Sequence, residues 1–571
     1  MPDSFFASSK SRKRKRTQNE TAKKAKKQKL DEELSEQSSK EWGDIDDMDL
    51  RAEEPDPNAS GDEDKDETPA EKRLRLAQLY LDTVKESLAD GEFDAAEIDK
   101  ELISSRLKQD VLSHSGKVHL FIASYYSSSL LSSHPSPPTL RTRGHRFSVT
   151  SAVASESSRY LFTAGKEGHI IKWDLITGKK LSTIYKSRPS PPSTSKSKGK
   201  GKANSDTQGH TDEILALALS SDGKYLASGG RDRRLIIWNT SSLTCLKVFQ
   251  GPMNHKDVIS ALSFRHQSHQ LFTASFDRTI KLYDLTPTVM GYIETLFGHQ
   301  DSILSLSSLR SDNCVSVGGR DKTARYWKIV EESQLVFRGG GRRKEKSFVE
   351  GSLECIAMID DSTFVTGGDS GSISLWSTQK KKPIFTYPLA HGLHTVHSST
   401  SGPIQTPRWI TSLASLPYSD LFASGSWEGQ IRLWKLDSKL RSFSPLGGGG
   451  TGGGVGSGGS IPIPGIINSL QLIAPPKSFF TATTNNHTTS TAASSSSPST
   501  NSNQNHTNNS DKSWLPPVAT HHKSDTMPTI LMIAGTGQEH RFGRWLTVKE
   551  NGAVNGAYVV ALIPTAPRTL S

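Results

Sequence analysis

Four histidines in this chain stand at one fixed distance from an aromatic residue: His145 precedes Trp173, His210 precedes Trp238, His255 precedes Tyr283 and His299 precedes Trp327, each by 28 residues. Six residues before each aromatic lies a carboxylate, Glu167, Asp232, Asp277 or Asp321, and four before that stands Thr163, Ser228, Thr273 or Val317. Histidine, carboxylate and hydroxyl are the ingredients of acid–base and nucleophilic catalysis, in which a carboxylate orients an imidazole that takes a proton from the hydroxyl. An active site is built once, whereas this set recurs in frame with an aromatic residue. The recurrence assigns these residues to a scaffold. No GxSxG elbow, Walker loop, HExxH or zinc spacing occurs. The Gly-rich run 447–459 lacks the following Lys-Ser/Thr and helix that would cradle phosphate. Neither an enzyme nor a metal or cofactor site is expected.

The elements that would hold such a set follow from its period. Steps of 45 and 44 residues separate Trp238, Tyr283 and Trp327, the length of a four-stranded propeller blade. The positions resemble the His, Ser/Thr, Asp and Trp network of WD-repeat proteins, in which a fully paired buried polar set fixes the register of three strands. Full sets are His145, Thr163, Glu167 and Trp173, and His210, Ser228, Asp232 and Trp238. The third unit carries Tyr283, and the fourth has Val317 at the hydroxyl position. Weaker units keep the frame: Trp376 with Thr366, Ser370 and Phe348; Trp434 with Ser424, Glu428 and Thr406 in place of histidine; and Trp545 with Glu539. The expectation is an all-β, seven-bladed WD40 propeller over 139–571. Low-complexity insertions fall near 187–208, 447–459 and 481–513. The last blade takes strands from Ile466–Ile473, Thr529–Ala534, Arg541–Lys549 and Tyr558–Ile563, with Thr139–Arg143 and Tyr558–Ile563 competing for the outermost position.

Composition bounds the rest. Of 571 residues only 33% are hydrophobic, and the deficit is concentrated in biased stretches. Cys245, Cys314 and Cys355 form no pattern for disulfides or zinc, which fits a reducing compartment. No leader-like or membrane-spanning apolar run is present, so a soluble intracellular protein with no membrane partner is expected. Residues 1–30 hold eleven Lys/Arg against Asp3 and Glu20, a net of +9. Two clusters, Arg12, Lys13, Arg14, Lys15, Arg16 and then Lys23, Lys24, Lys26, Lys27, have the spacing of a bipartite nuclear-localisation signal readable by importin. Residues 31–67 carry −14, leaving +16 on the remainder of a chain whose total is +11. A charged, disordered arm over 1–68 is predicted. A helical segment at 69–115 follows, opened by Thr68, Pro69 and Glu71 as a capping box and continued by a stripe of Leu74, Ala77, Leu81, Val84 and Leu88.

Three flanking motifs together carry a more specific resemblance: Ala70-Glu71-Lys72-Arg73-Leu74-Arg75-Leu76-Ala77, Ile170-Ile171-Lys172-Trp173-Asp174, and Gly537-Gln538-Glu539-His540-Arg541-Phe542-Gly543-Arg544-Trp545. In their order they resemble the WD-repeat family of the U3 small nucleolar RNP, the U3 55-kDa protein or U3 snoRNA-interacting protein 2 family. The resemblance implies a non-catalytic scaffold in the nucleus and nucleolus. Its implied partners are U3 snoRNA, the box C/D core proteins and proteins of the small-subunit processome during early pre-rRNA processing toward 18S rRNA. The alternative is a nuclear WD-repeat protein-interaction adaptor, associated with a ubiquitin ligase or chromatin. On the RNA reading, the residue before each turn carboxylate faces one rim: Lys166, Arg231, Phe276, Arg320, Asp369, Trp427 and Gln538, with Arg233, Arg234, Lys322 and Arg325 nearby. Guanidinium groups suit phosphates and exposed rings suit unpaired bases, so Lys166, Arg231, Arg320, Trp427, His540, Arg541 and Arg544 are the candidate RNA-binding residues.

Overall fold

The structure, a computed structural model, describes residues 120–126, 137–187, 209–251, 253–339, 351–398, 402–446, 459–476, 479, 528–548 and 552–564. The nuclear-localisation clusters, the 69–115 helix, Phe348 and most of the three insertions lie outside the described residues.

Within them the chain forms seven antiparallel sheets arranged as blades, each beginning at its innermost strand. Blade 1 runs Val149–Ala154, Tyr160–Gly165, Ile170–Asp174 and Lys180–Ile184. The inner three strands are almost wholly buried rather than alternating, because neighbouring blades cover both faces of each sheet. Leu161, Ile171 and Trp173 of blade 1, for example, share a core with Leu531, Ile533 and Val559 of blade 7. Outer strands such as Lys180–Ile184 are largely exposed.

Every innermost strand has a one-residue register shift at the same place, as between Val149 and Ser151, Ile259 and Ala261, and Ile467 and Ser469. A bulge of this kind frees one residue from the ladder and re-aims it. In blades 1, 6 and 7 the freed residue fastens the next blade: Thr150 donates to the Ile214 carbonyl at 2.6 Å, Thr411 to Ile467 at 2.6 Å, and Asn468 Nδ2 to Val149 at 2.8 Å. The last of these bonds crosses the seam of the ring.

Ring closure is settled by the pairing order. Thr139–Arg141 is the outermost strand of blade 7 and pairs with Gly556–Leu562, which is the third strand; Ile530–Gly537 and Ile466–Ile473 complete the blade. The expected strand Arg541–Lys549 is therefore not one over its described part, 541–548. It belongs to a connection whose sole bridge among the described residues joins Glu539 and Thr547. Trp545 is not a blade tryptophan either, being 62% exposed; by register, the position opposite Met532 that would hold it is filled by Val560. The Glu539-to-Trp545 spacing imitates the repeat without sharing its geometry.

Residues before 139 also join the ring. Asp420 accepts hydrogen bonds from the backbone N–H groups of Ile122 (2.7 Å) and Ala123 (2.9 Å), capping the short helix Ala123–Tyr126. Ile122, Ala123 and Tyr126 are buried among residues of blades 6 and 7, and the Tyr126 hydroxyl donates to the Pro528 carbonyl.

Candidate nucleic-acid interface

In blade 1 the His145 Nδ1 lies 2.7 Å from Glu167, its Nε2 2.8 Å from the Thr163 hydroxyl, and that hydroxyl accepts from Trp173 Nε1 at 2.9 Å. A carboxylate can only accept, so Nδ1 carries the proton and the hydroxyl donates to Nε2. Its donor and an acceptor site are thereby used, and nothing is left to act on a substrate. Blade 2 repeats the arrangement with His210, Asp232, Ser228 and Trp238. Burial would raise the Glu167, Asp232 and Asp277 carboxyls, but the hydrogen bonds each accepts from its histidine and from backbone N–H groups outweigh it and hold them below the ordinary range.

Three later units differ from the sequence frame. In blade 4 the hydroxyl comes from Ser316, 2.8 Å from both His299 Nε2 and Trp327 Nε1, because the following turn is one residue longer and displaces Val317 from the site. In blade 6 the histidine is His391, not Thr406: it bonds Glu428 at 2.6 Å and Ser424 at 2.9 Å. The hairpin of Leu393–Ser398 and Gly402–Pro407 is inserted between His391 and the blade, and Thr406 sits exposed on it. In blade 3 the Tyr283 hydroxyl donates to Asn254 at 3.1 Å, leaving Thr273 with His255. Blade 5 keeps the Trp376-to-Thr366 bond at 2.9 Å, while Ser370 bonds Ser372.

Second-to-third strand turns and exits from outer strands emerge at the same end of a four-stranded blade. They build one face. On it the candidate RNA residues separate into two groups. Lys166 is 3% exposed at its side chain, donating to Glu539 at 3.0 Å and the Gly543 carbonyl at 2.9 Å. His540 is buried against Phe542 and Trp545, and burial, with Arg541 and Lys166 adding, pushes its pKa down to about 3. Arg541 points into the central channel, a cavity of about 570 Å³ lined by the innermost strands. There its Nη2 donates to the Leu304 carbonyl at 2.9 Å, with Phe542 against its guanidinium and the half-buried Glu354 as counter-charge. These three residues anchor the 538–548 connection across the channel mouth. Asn468 holds the same connection from beneath, accepting from the Arg541 N–H (3.0 Å) and donating to the Glu539 carbonyl (3.1 Å), and Phe542 rests on Phe276 of blade 3.

The second group faces outward. Arg544 is 70% exposed, 3.5 Å from Glu539, and Trp545 folds over Gly543 so closely that no side chain would fit there. Arg231 pairs loosely with Glu213 at 3.3 Å, and Arg320 is exposed. Trp427 is half-buried edge-on to His394. Asp369 and Gln538 are occupied by the Gly351 N–H and the Ala553 carbonyl. The sequence did not single out Asn468 or the exposure of Trp545. An isolated Asn carries no periodic signal, and Trp545 was disguised by its spacing. Among the described residues no group of three His, Cys, Asp or Glu could hold a metal ion, and no helix is long and apolar enough to cross a membrane.

The WD domain, G-beta repeat family matches residues 137–174, 201–239, 243–284, 291–328 and 396–435. Ribosomal RNA-processing protein 9 of Saccharomyces cerevisiae is 34% identical over 500 residues, covering 73% of this chain and 85% of that protein. U3 small nucleolar RNA-interacting protein 2 of Mus musculus is 33% identical over 505 residues, covering 88% and 84%. A solved structure described as that of U3-55K superposes with a TM-score of 0.53 at 33% identity, covering 74% of this chain and 98% of that one.

Proposed function

The chain belongs to the WD-repeat family of U3 small nucleolar RNA-interacting proteins, and from that membership we propose that it is a non-catalytic scaffold of the U3 snoRNP. In this reading it binds U3 snoRNA and works in early pre-rRNA processing toward 18S rRNA. Its further partners are the box C/D core proteins and processome proteins, and importin carries it by the basic clusters to the nucleus and nucleolus. The observation that carries the reading is the match over more than four-fifths of two relatives named for U3 RNA or rRNA processing. The histidine networks, whose imidazoles and hydroxyls are paired with one another inside the blades, support a scaffold.

Of the candidate cations, Arg231, Arg320 and Arg544 are exposed and can meet phosphate, Arg231 and Arg544 by giving up loose pairs with Glu213 and Glu539, and Trp427 and Trp545 offer rings to bases. Lys166, His540 and Arg541 act by holding the loop that presents Arg544 and Trp545. Charge reversal of Arg231, Arg320 and Arg544 together is expected to weaken binding of a U3 RNA fragment at least ten-fold at about 0.1 M salt, each lost phosphate contact being salt-sensitive. The melting temperature should stay within 2 °C or so, since exposed substitutions of this kind cost about 0.5 kcal/mol or less each. Unchanged affinity would remove these residues from the interface, and absence of RNA binding in the unaltered protein would favour a protein-interaction adaptor.

A further inference from the structure

The turns that follow the network carboxylates share one backbone feature. Two residues past the rim position, blades 1, 5 and 6 place Gly168, Gly371 and Gly429 at φ of 76°, 69° and 79°. This left-handed conformation is open to glycine at little cost and disfavoured for residues with a Cβ. At the same point blades 2, 3 and 4 place Arg233 (62°), Arg278 (68°) and Lys322 (54°). Three consecutive blades therefore hold a cation at the apex of a turn where the other three short turns have the unstrained residue. Strain kept at one face of a molecule is a reason to ask what the side chain does there.

Among the described residues the side chains of Arg233, Arg278 and Lys322 make no hydrogen bond or ion pair; their backbone N–H groups close the turns onto the carbonyls of Gly230, Ser275 and Gly319. The preceding carboxylates, Asp232, Asp277 and Asp321, turn inward to His210, His255 and His299 and are between 3% and 10% exposed. Each turn thus buries its anion, while Arg233 and Arg278 are exposed and Lys322 is half-buried. On the neighbouring rim of blades 1 to 4 Lys186, Arg231, Lys256 and Arg320 are exposed; Lys186 lies 3.7 Å from Asp212, Arg231 lies 3.3 Å from Glu213, and Asp257 is an exposed carboxylate beside Lys256.

We propose that Arg233, Arg278 and Lys322 form a track across blades 2 to 4 for a phosphodiester backbone, read without regard to base sequence and distinct from the blade 7 loop that carries Arg544 and Trp545. The inference rests on the RNA-scaffold reading and adds a second contact region to it. Cations that meet phosphates at points along a strand bind by counterion release, which makes the contact salt-dependent and indifferent to sequence.

The test is replacement of all three by glycine in the full chain. Glycine fits these backbone angles, so the variant should fold and melt no lower than the unaltered protein, while its affinity for a 20-nucleotide polyuridylate falls at least ten-fold at about 0.1 M salt. The slope of log affinity against log salt should drop by about 2, three single-strand phosphate contacts at roughly 0.7 each. Binding of a U3 RNA fragment should weaken less, retaining the contribution of the blade 7 loop. Unchanged polyuridylate affinity and slope, with the U3 fragment still bound by the unaltered protein, would overturn the track and leave the scaffold reading intact. If the unaltered protein binds neither RNA, both fall. Capture of polyglutamate in preference to polyuridylate would overturn the track in favour of an acidic protein partner.

Discussion

At the scale of single residues, the polar networks are where stability is set. His391→Ala would leave Glu428 and the Ser424 hydroxyl without the partner found at 2.6 and 2.9 Å. Loss of such a buried, charge-assisted pair is expected to cost about 3 kcal/mol in urea unfolding, whereas Thr406→Ala, on an exposed hairpin, should change stability by no more than about 0.5 kcal/mol. Equal effects would contradict the assignment of His391 to the blade. The networks also fix the response to acid. His299, His391 and His540 are kept neutral chiefly by burial, so their pKa values lie below the ordinary 6.5. The unfolded chain takes up those protons first, and stability present above about pH 6.5 is lost as pH falls. The depressed carboxyls of Glu167, Asp232, Asp277, Asp321 and Glu428 act in the same direction, their contribution being lost below about pH 4. Glu156 and Glu354, both raised by burial, oppose this and are outnumbered. Melting temperature should be highest near pH 7 to 8, decline below 6.5 and fall steeply below 4; a flat profile from 7 to 5 would exclude the histidine contribution.

At the scale of elements, the sequence was legible wherever spacing carried the information and opaque where an insertion broke it. Blades 1 and 2 were complete in the residue pattern because four positions at fixed intervals identify a blade. The blade 6 histidine was hidden because a hairpin separates His391 from the strand it serves, and the blade 4 hydroxyl because one extra turn residue moves it to Ser316. Candidate interface residues were chosen by type and rim position, which carry no information on exposure: the Lys166 and His540 side chains are buried and Arg541 is half-buried, each held by partners within the fold, whereas Arg231, Arg320 and Arg544 are exposed. The segment 120–126 was invisible for another reason, since its role depends on Asp420, almost 300 positions away (|i−j| = 298). Removing residues 1–136 should expose the groove that Ile122 and Tyr126 fill. Burial of two such side chains is worth about 1.5–3 kcal/mol each, so the truncated ring should unfold at clearly lower urea. A chain beginning at residue 118 should retain its stability; no difference between the two truncations would show that the strap adds nothing.

At the scale of the molecule, the ring is closed by the outer strand Thr139–Arg141 and by Asn468 across the seam, and the 538–548 connection crosses one end of the channel. One face consequently combines a fixed loop bearing an exposed arginine and tryptophan with the turns that carry Arg233, Arg278 and Lys322. On the proposed function this face is the one that holds RNA, and relatives of this chain are named for U3 RNA and rRNA processing. The most direct measurement is ultraviolet crosslinking of the full-length protein in its own cells, followed by sequencing of the attached RNA and identification of the crosslinked peptides. The account predicts a dominant U3 snoRNA peak with crosslinks on the 538–548 connection and the blade 2 to 4 turns; no RNA enrichment above an unirradiated control would contradict it.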